Sequence, residues 1–449
     1  MMDEILQSAA RRSIDYLRGL ESRGVAPDAK AVENLRVLDG PMPEHPEDAE
    51  KVLRTLDEVC SPATMGMAGS RFFGFVIGGS YPISLAANWL AGAWDQNSAL
   101  YRVTPSTSHL EQVALQWLVE LFGLPAGTGG AFVTGATVAN LCALAAARHA
   151  MYVRADWDIE GQGLFGAPPL NVIVSAEAHP AVIKSLGLLG LGRNRVTLVP
   201  VDNQGRMLTD RLPVIKGPTI ICVQAGNVNT GSFDPVAVVC KRAHDAGAWV
   251  HVDGAFGLWA AAAPTREFLA SGIADADSWA TDAHKWLNVP YDSGLAFVRD
   301  PENLRAAMAV TAEYLPTETE QRNPSDYVPE LSRRARGAEV WAALKFLGRG
   351  GVADLIERTC RHARRFADGL RQAGFTILND VVLNQVLVSF GDSARTQEVI
   401  AAIQRDGTCW AGGTVWQGYT AMRISVSSWA TTDEDVERSL EAMIRCAKP

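Results

Sequence analysis

Asp253 closes the apolar run Trp249-Val250-His251-Val252, and Lys285 follows in Asp282-Ala283-His284-Lys285-Trp286. A lysine amine condenses with an aldehyde to form a Schiff base, provided the amine is neutral; burial beside a cofactor favours that state. An aspartate at a strand end can hold a heteroaromatic nitrogen protonated, so that the ring accepts electrons. Together these are the demands of pyridoxal phosphate chemistry. The expectation is an enzyme acting on amino acids.

Two further groups join them if strand ends converge. Gly135-Ala136-Thr137 follows an apolar run and opens a helix. Backbone N–H groups at such a start bind phosphate, and Thr137 adds a hydroxyl. Each contribution is modest, of order 0.3–1 kcal/mol. His179 sits in the turn Ala176-Glu177-Ala178-His179-Pro180, where its flat ring could stack on a pyridine. Asp253 would be costly to bury alone, but a pyridinium N–H would give a charge-assisted bond of roughly 1.5–3 kcal/mol. Each group has an ordinary reading: an N-cap threonine, a loop histidine, a capping aspartate, a surface lysine. None is specific alone; their order and spacing together are.

The elements that must carry these residues follow from periodicity. Ala131–Thr134, Asn171–Ser175, Val196–Val199, Thr219–Val223, Trp249–Val252 and Leu295–Val298 read as buried strands, with helices at Thr137 to Arg148 and Pro235 to Ala246. Alternation of such runs with helices implies a mostly parallel sheet covered on both faces, with ligands at the carboxyl ends of its strands. Residues 1–65 read as a helical arm without a core of its own, and 66–310 as the large α/β domain. A polar, proline-containing loop and a smaller α+β domain occupy 311–449, with helices at Gly337 to Leu347, Val352 to Ala373 and Ala394 to Gln404. Strands are expected near Asn384–Val388 and Met422–Val426, and a last helix starts at Thr432.

The chain of 449 residues is 47% hydrophobic and 20% charged, an ordinary globular balance for two lobes. Its net charge of −9 argues against a nucleic-acid partner. The basic run Arg333-Arg334-Ala335-Arg336 reads as a solvated helix start. Seven cysteines without a C-x-x-C pair suggest reduced thiols, mostly in the core. No leader and no membrane span are read, so the expectation is cytoplasmic. A nucleotide-binding or non-catalytic α/β scaffold is the reading from another class. The lack of a G-x-G-x-x-G or Walker A pattern counts against it.

The chain resembles the pyridoxal-phosphate-dependent group II amino-acid decarboxylases. The resemblance rests on Arg71-Phe72-Phe73-Gly74-Phe75, Thr134 to Asn140, Ala178-His179, Thr230 to Asp234, His251 to Ala255 and Asp282 to Trp286. It implies the pyridoxal-phosphate-dependent transferase-like fold (fold type I): a mostly parallel seven-stranded sheet with helices on both faces, plus a small α+β C-terminal domain. It also implies a homodimer with shared active sites, for which the 1–65 arm would be a clasp. By resemblance Lys285 carries pyridoxal 5'-phosphate, Asp253 binds its ring nitrogen and Ala255 packs on one ring face. His179 stacks on the other face and acts in catalysis. Ala136, Thr137 and His284 hold the phosphate, and Asn229 lies near the ring. Phe75, Asn97 and Arg423 meet the substrate. Tyr314 matches a lid tyrosine that returns a proton to Cα, with Tyr327 a rival in the same loop; relatives that form aldehydes carry phenylalanine there.

The implied reaction is loss of carbon dioxide from an L-amino acid to give an amine. Aldehyde-forming oxidative deamination, transamination and retro-aldol cleavage share the same cofactor and remain alternatives. The chain departs from the family at several places. Asp282-Ala283 stands where animal aromatic decarboxylases have Asn-Pro. Phe75-Val76-Ile77-Gly78-Gly79 replaces an aromatic-rich wall, and Asn97 and Ala99 fall where bulky residues often sit. The substrate pocket is thus expected to be less aromatic.

Overall fold

Short runs rich in β-branched and aromatic residues form the strands of the larger sheet. They are β1 (Gly129–Val133), β2 (Asn171–Ser175), β3 (Thr197–Val199), β4 (Thr219–Gln224), β5 (Trp249–Asp253), β6 (Ser278–Asp282) and β7 (Gly294–Val298). The computed structural model describes residues 2–310 and 321–448. The strand order is β1-β7-β6-β5-β4-β2-β3. β7 runs antiparallel to both neighbours, and the remaining pairs are parallel. The mostly parallel seven-stranded sheet expected from the sequence is therefore present.

The chain divides into two compact units, one holding Ser80–Arg361 and Asn379–Gln385. The other holds Met1–Gly79, His362–Leu378 and Val386–Pro449. In the first unit, the helix Ala136–Arg154 packs an alanine-rich face, including Ala139, Ala143, Ala146 and Ala147, against the sheet. Small side chains let helix and strands approach closely and exclude water. The helix that begins at Gly337 is interrupted at Gly348, whose φ of 59° and ψ of −179° are non-helical, so two helices meet there much as the sequence implies.

The second unit carries the smaller sheet, of order β10-β11-β9-β8: β8 (Thr376–Ile377), β9 (Gln385–Ser389), β10 (Gly412–Trp416) and β11 (Tyr419–Ser425). The helix Asp433–Ala447 starts with a capping box between Thr432 and Asp435. Phe72 stacks on Trp410 with ring centroids 5.0 Å apart, and the Phe73 N–H donates to the Trp410 carbonyl. In the N-terminal helix Met2–Gly19, Leu6, Ile14 and Leu17 are exposed. Among the described residues no helix is long and apolar enough to cross a membrane. None of the seven cysteines forms a disulfide, and five are buried.

The basic run departs from expectation. Arg333 is not a solvated helix start: its side chain is fully buried. It pairs with the buried Glu111 at 3.0 Å and donates to the carbonyls of Ser98 and Phe132. The buried carboxylate of Glu111, far away in sequence, supplies the charge that lets an arginine sit inside.

His251 lies in the middle of β5 and is wholly buried. Its Nε2 donates to the Asn140 Oδ1 at 2.7 Å, and its Nδ1 accepts from the Ser278 hydroxyl at 2.9 Å. Burial pushes its pKa down to about 3. An unfolded histidine titrates near about 6.5, so on acidification the unfolded chain takes up this proton first. Stability from this group is therefore lost as the pH falls from about 6.5 towards about 3. Urea unfolding at several pH values is expected to show this slope, up to about 1.4 kcal/mol per pH unit, and His251→Gln is expected to flatten it.

Candidate functional site

β1 and β6 both pair antiparallel with β7, so they run parallel to each other and end at the same edge as β2, β4 and β5. That edge collects the residues singled out from the sequence. Ala136 opens a helix after β1, His179 caps a helix after β2, Asp253 ends β5 and Asp282 ends β6. Gly294 opens β7 here, opposite Asp282 on one side and Val133 on the other. A Cβ on Gly294 would lie 2.4 Å from the Gly135 Cα, so only glycine permits this approach.

Lys285 sits in the one-turn helix Ala283–Trp286. Its Nζ lies 2.9 Å from the Asp282 Oδ2, and its side chain keeps 22% exposure. The amine is thus reachable and ion-paired. Trp286 behind it is buried and donates from Nε1 to the Thr359 hydroxyl, which fixes the back of the turn. His284 accepts the Ser293 N–H at its Nδ1, 3.0 Å away, leaving Nε2 to carry the proton of the neutral ring. Burial holds the imidazole below the ordinary histidine range. Tyr291 stacks on this ring with centroids 4.2 Å apart.

Asp253 is buried, and burial raises its carboxyl above the ordinary aspartate range, against the positive charges of His179 and Lys285. The Ala255 N–H reaches its Oδ1 at 3.3 Å. A buried carboxylate in this state is best served by a cation or a charged N–H donor, and a protonated pyridine nitrogen is one. The His179 Nδ1 accepts the Ala181 N–H at 3.2 Å, which fixes the ring at the start of the helix Pro180–Leu188. Asn229 lies in a loop ordered by Asn227, whose Oδ1 accepts the Asn229 N–H. Asn227 in turn donates to Glu177, two residues before His179. Thr137 is half-buried, and its carbonyl accepts the Ser185 hydroxyl.

Ala136, Asp253, Ala255, His179, His284 and Lys285 are thus ordered at one sheet edge. Their charges and N–H groups fit the ring nitrogen, aldehyde and phosphate of pyridoxal phosphate. The substrate candidates are less concentrated. Asn97 is exposed, and its Oδ1 accepts the Arg333 N–H. Phe75 and Arg423 belong to the other unit. There Phe75 is 58% exposed with a φ of 53°. Burial lowers the Arg423 guanidinium on β11. Tyr314 falls outside the described residues. Tyr327, its rival, lies under the Arg322 guanidinium at 4.1 Å and packs against the core of the first unit.

Sequence reasoning missed the contacts of Asp282. Besides pairing with Lys285, this buried carboxylate accepts the Ala136 N–H at 2.6 Å. The available signal was an acidic residue two positions before a histidine–lysine pair. Tyr291 was missed as well; no short-range pattern links it to His284.

The pyridoxal-dependent decarboxylase conserved domain matches residues 32–391. Tryptophan decarboxylase 1 of Oryza sativa subsp. japonica is 25% identical, over 95% of this chain and 90% of its own length. The acidic amino acid decarboxylase GADL1 of Mus musculus is 30% identical, over 77% of this chain and 64% of its length. Phenylacetaldehyde synthase of Arabidopsis thaliana is 24% identical, over 95% and 91%. The Oryza sativa TDC crystallised with PLP and tryptamine has the same fold, with a TM-score of 0.92 at 22% identity over 99% of this chain and 97% of that one. The chain therefore belongs to the pyridoxal-dependent decarboxylase family, and its cofactor is pyridoxal 5'-phosphate.

Proposed function

We propose that this chain removes carbon dioxide from an L-amino acid to leave an amine, with the cofactor attached at Lys285. The observation that carries the reading is that a reachable lysine amine, on the turn after β6, stands at the same sheet edge as a buried aspartate ending the neighbouring strand β5. Pyridoxal phosphate, when bound, supplies the electron sink for the bond that breaks. Asp253 keeps the ring nitrogen protonated. The Ala136 N–H, Thr137 and His284 hold the phosphate, and Ala255 and His179 take the two ring faces, with Asn229 nearby. Asn97 meets the substrate, and the small side chains of Asn97 and Ala99 favour a substrate side chain less aromatic than tryptophan. Exposed apolar residues of the N-terminal helix support a homodimer clasped by that arm.

The test is a panel of amino acids incubated with holoenzyme, with carbon dioxide, amine and aldehyde measured from the same turnovers. Equal amounts of carbon dioxide and amine are expected; aldehyde as the main product would overturn the proposal. Aldehyde formation is the second reading, favoured by the likeness to a phenylacetaldehyde synthase. Tyr314 separates the two, because a hydroxyl there can return a proton to Cα. Tyr314→Phe is expected to lower amine formation by about 10²-fold or more and to raise the aldehyde share. Tyr327→Phe is expected to leave the product ratio unchanged. The reverse result would move the proton donor to Tyr327.

A further inference from the structure

We infer that Asp282 is a built-in competitor of the cofactor: one carboxylate holds both groups that pyridoxal phosphate must take, the Ala136 N–H and the Lys285 amine. Oδ1 accepts the Ala136 N–H at 2.6 Å, at the N-terminus of a 19-residue helix, where a phosphate would otherwise be favoured. Oδ2 lies 2.9 Å from the Lys285 Nζ, the atom that meets an aldehyde. The His284 Nε2 stands 3.7 Å from the same Oδ1. Asp282 does this at the expense of its local role. It is the N-cap of the turn Ala283–Trp286, yet its side chain makes no capping bond there and reaches Ala136 across 146 residues of sequence.

The carboxylate is buried, so water screens it little, and its charge has the same sign as a phosphate's. Cofactor entry therefore exchanges one anion for another at the helix start and releases the lysine from its ion pair. An asparagine would keep the Oδ1 acceptor for the Ala136 N–H without the charge. The chain should consequently hold its cofactor more loosely, and release it more readily, than an asparagine variant of the same fold. The inference rests on the assignment of Lys285 and the Ala136 helix start to the cofactor.

The experiment uses full-length apoenzyme, wild type and Asp282→Asn, titrated with pyridoxal 5'-phosphate, pyridoxal and inorganic phosphate. Absorbance and calorimetry report binding, and thermal unfolding reports the fold. In the asparagine variant pyridoxal 5'-phosphate is expected to bind at least about tenfold tighter, inorganic phosphate to bind tighter too, and pyridoxal to change less. Should that variant fail to fold, Asp282→Ser removes the same charge and carries the same expectation. Equal or weaker binding of pyridoxal 5'-phosphate by a folded variant overturns the inference. So does an equal gain for pyridoxal, which would confine the carboxylate's effect to the lysine. Loss of binding by wild type and variants alike would overturn the site assignment as well.

Discussion

Lys285→Ala is expected to lower turnover by at least about a thousandfold and, in the same protein, to abolish the absorbance of the lysine-bound cofactor. The amine of Lys285 pairs with Asp282, and the helix turn that holds it is pinned by the buried Trp286 and by Ser293. A neighbouring side chain cannot slide into its place without unpacking that turn. The truncation also strips the Asp282 carboxylate of its partner 2.9 Å away while leaving it buried, so the apoenzyme is expected to lose stability, of order 1–3 kcal/mol. Three measurements on one variant separate the roles: turnover for catalysis, absorbance for attachment, and thermal unfolding for structure. A variant that kept turnover and absorbance would remove Lys285 from the chemistry.

Asp253→Asn carries the second large effect, a fall in turnover of about 10²–10³-fold with the apo fold intact. Its signature is the opposition between activity and stability. Burial raises the carboxyl above its ordinary value, so the folded apoenzyme favours the protonated form more than the unfolded chain does. Above that raised value the ionised group opposes folding, and stability from it returns only as the pH falls through the raised value. A neutral amide of the same shape is therefore expected to leave the apoenzyme at least as stable at neutral pH. Cofactor affinity should show the complementary trend. Wild-type binding weakens as Asp253 takes up its proton on acidification, because the ring nitrogen then loses its anionic partner. The asparagine variant should lack that part of the pH dependence. An active variant with unchanged affinity would assign Asp253 a purely structural role.

Much of the proposed site was legible because its residues sit where local patterns are strongest. Asn171–Ser175 and Trp249–Asp253 are apolar runs ending in turn residues, and the structure places His179 and Asp253 just past or at their ends. Strand β6 was not legible as a strand. Ser278-Trp279-Ala280-Thr281-Asp282 lacks a valine or isoleucine run and ends in a carboxylate, although all five residues are buried. Its identity is tertiary: neighbours on both sides supply the ladder, and Lys285 depends on it. Strand β10 escaped for a related reason, since Gly412-Gly413 reads as a turn. The burial of Arg333 needed Glu111, a partner that no local window contains. The dual contact of Asp282 needed the end of β1 and the end of β6 side by side, and that adjacency comes only from the reversed strand between them.

That reversed strand has a mechanical consequence. Ser293, just ahead of it, accepts the Ala283 and His284 N–H groups and donates its own N–H to the His284 ring. Gly294 presses on the Gly135 backbone. The lysine turn and the helix start after β1 are therefore bolted to one short hinge pin rather than to two independent supports. A shift of that pin would carry the Lys285 amine and the Ala136 N–H together and preserve their spacing. Attempts to broaden the range of amino acids accepted by this chain should accordingly leave Ser293 and Gly294 untouched and work on the peripheral loops, where a change of shape does not travel to the reacting end.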